Sequence, residues 1–72
     1  MLHSLHPTSK ATEYGYLPMI NIRGAKGRMV GSRVPKGADA CRLTFRTALE
    51  AELEARVIAL SLAMAHPEQF KA

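Results

Sequence analysis

Residues 47–66, TALEAELEARVIALSLAMAH, constrain the fold more than any other stretch, because a helix start, a helical period and a helix stop coincide there. Thr47 followed three residues later by Glu50 is a capping box: the threonine hydroxyl accepts from the Glu50 amide and the carboxylate is expected to reach back to the Thr47 amide. Glu50, Glu52 and Glu54 oppose the positive end of the helix dipole, and Glu52 with Arg56 is an i,i+4 pair in the favourable order. Pro67 stops the helix, since it disfavours the α conformation at His66 and has no N–H to donate.

At about 100° per residue, this helix carries two opposite apolar stripes. Leu49, Leu53, Val57, Leu60 and Met64 form one, expected to cover the core. Ala51, Ala55, Ile58, Leu62 and Ala65 form the other, expected to be a partner interface. A helix that only covers a sheet needs one apolar face, so two imply burial on both sides. A chain of 72 residues is also near the size at which a single core needs a staple or a second subunit. Self-association as a homodimer, or docking to another protein, is the partner this predicts.

The chain before the helix reads as strands. Residues 1–13 mix Ser, Thr, His, Lys and Pro without a clear period and are expected to be a flexible, disordered N-terminal arm. Residues 14–23 alternate, with Tyr16, Ile20 and Ile22 on one face and Leu17, Met19, Asn21 and Arg23 on the other; Pro18 places this strand at an edge or bulge. Gly24-Ala25-Lys26-Gly27 is a turn, and residues 28–34 complete a hairpin with Val30 and Val34 inward. After a loop at 35–39, residues 41–47 alternate as a third strand, with Cys41, Leu43 and Phe45 inward and Arg42, Thr44 and Arg46 outward. Beyond Pro67, residues 68–70 suit one more turn, with Phe70 folding back as a plug. The expected fold is therefore α+β: residues 14–72 form one domain, a three-stranded antiparallel sheet with a C-terminal helix packed on one face.

Charge is unevenly distributed. From residue 23 to 46 there are seven basic residues, Arg23, Lys26, Arg28, Arg33, Lys36, Arg42 and Arg46, against Asp39 alone. On this register Arg23, Arg33, Arg42 and Arg46 project from the sheet face the helix leaves bare, and Lys26 and Arg28 sit at the hairpin tip. Such a face suits phosphates, and a β-ribbon is one of the elements the DNA major groove admits. The expected ligand is duplex DNA or another polyanion. The same charges also serve solubility and deter edge pairing.

Three strands, a basic outer face and a capped helix entered through Phe45-Arg46-Thr47 resemble the small DNA-binding modules of the AP2 and arm-type integrase class. The resemblance covers residues 14–66 and is topological. It implies a sheet in the major groove with the helix behind it, and a binding role for Arg23, Arg28, Arg33, Arg42 and Arg46. The chain departs from that class in having no tryptophan and in setting Leu17 and Met19 on the implied binding face. It is equally similar to short bacterial proteins of unknown function in which strands precede an alanine-rich helix.

No enzyme is expected. His3 and His6 lie on the arm, His66 suits the helix C-terminus, and Cys41 reads as a small core residue, so no catalytic set, metal site or cofactor follows from them. The stretch GAKGRMVG at 24–31 lacks Walker spacing and the strand-to-helix context of a phosphate loop. Glu50 and Glu54 sit near a dipole that keeps them ionised, which is wrong for a general acid. One cysteine forms no internal disulfide, and the longest apolar run, 57–65, is interrupted by Ser61 and too short to span a bilayer. A cytoplasmic protein without a membrane partner is the expectation.

Overall fold

The computed structural model describes residues 2–34 and 42–71. The chain runs β1 (His3–Thr12), β2 (Gly15–Arg23), β3 (Met29–Arg33), α1 (Ala48–Ala65) and β4 (Phe70–Lys71). The strands form one sheet in the order β3-β2-β1-β4, with α1 against one side. This is an α+β fold. The sheet differs from the expected three antiparallel strands in having four strands, and in being mixed, because β4 runs parallel to β1.

The stretch read as an arm is β1, which pairs with β2 along its whole length, from Ser4 opposite Arg23 to Thr12 opposite Gly15. Its alternation was masked because the side facing the helix carries Leu5, Pro7, Ser9 and Ala11, of which only Leu5 is strongly apolar. Both prolines sit where the ladder is one-sided. Pro7 lies beyond the two-residue reach of β4, and Pro18 beyond the end of β3, so neither removes a needed donor.

The turn between β1 and β2 is held by Thr12, whose hydroxyl donates to the Gly15 carbonyl at 2.8 Å and accepts from the Tyr14 amide at 3.2 Å. Gly15 has φ of 138°, and a Cβ there would lie 2.7 Å from the Phe45 carbonyl oxygen. Only glycine lets the two backbones come this close. The reason is the pairing of Tyr16 with Phe45, which exchange both backbone hydrogen bonds at 2.9 and 2.8 Å. That bridge is all that the expected third strand becomes: Phe45 pairs, Leu43 is exposed, and Cys41 lies outside the described residues.

The turn at 24–27 forms as expected, with Gly27 at φ of 75° and the Gly24 amide donating to Arg28 at 2.9 Å. The register of β3 is displaced. Ile22 pairs with Gly31 but Arg23 with Met29, so Val30 is an extra residue at a bulge. Gly31 and Arg33 consequently share the Ile20 and Ile22 side, and Val30, expected inward, is exposed. An edge strand with little burial exerts weak control of its own register.

Helix α1 begins at the expected cap: the Glu50 amide donates to Thr47 Oγ1 at 3.2 Å, and that hydroxyl donates to Glu50 Oε1 at 3.0 Å. The carboxylate therefore meets the hydroxyl, where the capping box called for the Thr47 amide. The helix closes with the His66 amide on the Leu62 carbonyl at 2.9 Å. Pro67 then starts a turn that carries the chain to β4, where Phe70 packs on the core and its ring stands edge-on to His66.

The core corrects the assignment of the helix faces. Leu5 and Ile20 from the sheet meet Ala55 and Ala59, bordered by Ile22, Leu62 and Phe70. Ala51 is also fully buried. The alanine stripe expected to bind a partner faces the sheet, and the leucine stripe expected to cover the core faces away. The physical reason is volume: branched side chains already project from the sheet, so the facing helix must offer short ones to approach to packing distance.

Candidate functional site

Two surfaces carry features beyond what the fold requires. The first is the outer side of α1. Leu49, Leu53, Val57, Leu60 and Met64 are 64, 52, 57, 54 and 82 % exposed. With a rise of about 1.5 Å per residue, they make one stripe roughly 22 Å long. Glu50 and Glu54 lie on one flank and Glu52 and Arg56 on the other, with Arg56 Nη2 3.4 Å from Glu52 Oε1. Of the five residues predicted as the partner interface, Ala51 and Ala55 are sealed against the sheet and Leu62 packs on the core, while Ile58 and Ala65 stay at its exposed margin.

The second surface is the side of the sheet away from α1. Strand alternation places Ser4, His6, Thr8 and Lys10 of β1 there, opposite Arg23, Asn21, Met19 and Leu17 of β2, with Lys71 of β4 beside Ser4. At one end, Ser4, His6, Arg23 and Lys71 together with the backbone of Gly24 and Gly27 line an open concavity of about 330 Å³. His6 Nε2 lies 3.0 Å from Ser4 Oγ, and Arg23 Nη1 donates to the Gly27 carbonyl at 3.5 Å. Lys26 and Arg28 line an adjoining hollow on the same turn. None of the acidic residues among the described residues lies on a strand.

The predicted basic set is divided. Arg23, Lys26 and Arg28 come together at the β2–β3 turn. Arg33 pairs with Ile20 and so lies on the helix side. Arg42 and Arg46 flank Phe45, which is tied to Tyr16 at the far end of β2, seven residues or about 23 Å from Arg23 along the strand. In their place His6, Lys10 and Lys71 join Arg23 on the outer face. The signal for the first two was present in sequence as polar residues at 4, 6, 8 and 10, but it was hidden by the weak apolarity of the positions between. Lys71 had no such signal, because a two-residue parallel strand leaves no period.

Among the described residues, no group of three His, Cys, Asp or Glu side chains converges to hold a metal, and no helix is long and apolar enough to cross a membrane. No family model matches the chain, and no curated protein or solved structure matches it either.

Proposed function

We propose that this chain is a small non-enzymatic association module that docks through the outer stripe of α1. The carrying observation is that all five of its large apolar side chains are more than half exposed, on a helix whose opposite side is already buried. Five adjacent residues of this kind exceed the scattered exposure ordinary for a soluble surface and mark a contact site. A reducing cytosol is the compartment that suits a chain with one cysteine. A photo-crosslinking residue in place of Leu53 is expected to give protein adducts in the producing cell, and the same residue in place of Lys10 only background. Equal, background-level labelling at both positions would remove the reading.

A second reading, binding of duplex DNA or another polyanion, is favoured by the concavity lined by His6, Arg23 and Lys71 beside Lys26 and Arg28. The resemblance to sheet-in-groove modules points the same way, with a smaller basic set than six arginines and lysines. Each phosphate contact contributes about one ion to the salt dependence. Arg23→Ala and Lys71→Ala are each expected to lower the slope of log affinity against log salt by about one, with Arg42→Ala leaving it unchanged. No detectable binding to duplex DNA at roughly 50 mM salt, where electrostatic affinity is strong, would exclude it.

A further inference from the structure

We infer that the occupant of the outer α1 stripe is a second copy of this chain, laid antiparallel across a twofold axis near Val57; the inference rests on the association reading above. The stripe is nearly the same read in either direction. Its spacings are four, four, three and four residues, from Leu49 through Leu53, Val57 and Leu60 to Met64. Antiparallel packing therefore sets Leu49 against the second copy's Met64 and Leu53 against its Leu60, with the two Val57 side chains meeting at the axis. A twofold contact requires one surface to complement itself, and this surface does.

Charge selects the direction. Glu50, Glu52, Glu54 and Arg56 all lie in the first half of the helix, and from Val57 to Ala65 there is no charged residue. Parallel packing would bring six glutamates side by side. The antiparallel arrangement places each acidic half over the other copy's neutral half. The same acids disfavour an anionic bilayer as the occupant, because the only cation on the helix is Arg56, already paired with Glu52.

Area is adequate. At the exposures found, each copy offers on the order of 500–600 Å² of apolar side chain, and burying both gives about 1,000–1,200 Å², the threshold of a specific interface. The monomer's own core supplies a further reason for self-association. Among the described residues its buried apolar side chains are Leu5, Leu17, Pro18, Ile20 and three alanines. Small domains with so little buried volume commonly obtain the remainder from a second subunit.

Sedimentation of the full chain from about 10 to 500 µM, a range spanning micromolar association, is expected to give twice the 7.9 kDa chain mass. Leu60→Glu should raise the dimer dissociation constant by at least about 100-fold, as for a residue central to an interface, with the helical circular dichroism kept. Direction is read by disulfides in a Cys41→Ser background. Leu53→Cys with Leu60→Cys should cross-link on mild oxidation, and Leu53→Cys alone should not, since the two copies of residue 53 lie about 10 Å apart along the axis, beyond disulfide reach. Cross-linking by Leu53→Cys alone would overturn the antiparallel arrangement. A monomer throughout, with Leu53 photo-adducts to a different protein or with co-sedimentation on phosphatidylglycerol vesicles, would overturn self-pairing. The protein adducts would leave the association reading standing. A monomer with no adducts at all removes both.

Discussion

Ala55→Glu is expected to unfold the domain, whereas Val57→Glu, two residues along the same helix, leaves it folded. Ala55 has no exposed surface and packs on Leu5 and Ile20, so a carboxylate there loses its water against apolar neighbours. An unpaired buried charge costs several kcal/mol even after relaxation. A chain of this length is expected to be stable by only about 4–10 kcal/mol. Val57 is 57 % exposed, and a carboxylate at that position stays solvated. Far-ultraviolet circular dichroism and urea melts of the two variants measure the difference directly. If Val57→Glu were the one to unfold at every protein concentration, the assignment of helix faces would be reversed. Loss of only the concentration-dependent part of its stability would instead report the missing dimer contact.

Ile20→Ala is expected to lower stability by about 3–5 kcal/mol, near the top of the range for truncating a buried aliphatic side chain. The cost depends on how far the neighbours can close the cavity. Ile20 is 2 % exposed on β2, and the helix meets it with Ala55 and Ala59. Methyl groups have no rotamers with which to fill a void, so collapse has to come from moving the whole helix. A loss below about 1 kcal/mol in chemical denaturation, the cost typical of a surface site, would mean that the helix does not rest on this residue.

These two substitutions bear on what was legible in the sequence. Both ends of α1 were, because Thr47, Glu50 and Pro67 act on the local backbone and owe nothing to tertiary context. So were β2 and the glycine turn after it. Which stripe of α1 turns inward was not, since hydrophobicity alone favours the larger side chains, whereas Leu5 and Ile20 had already taken the space. Strand β1 escaped notice because Pro7, Ser9 and Ala11 dilute its period, and it is this strand that makes the sheet four-stranded. The opposite error occurred at 41–47, where clean alternation produces, among the described residues, only the Tyr16–Phe45 bridge. The basic surface inherited both errors: its arginines were assigned through a strand that the described residues do not form and a β3 register displaced by one bulge, while His6 and Lys10 lay in the segment read as an arm and Lys71 lay past the final turn at 68–70.

The bulge at Val30 has an effect outside the register of β3. It interrupts the outer rim of the sheet; on the opposite rim β4 covers only His3 and Ser4, and past it the free edge of β1 is broken by Pro7, which has no N–H to offer. Neither rim presents the long, regular row of free amides and carbonyls on which a foreign strand could zip. Fibril-type stacking is therefore discouraged at both margins.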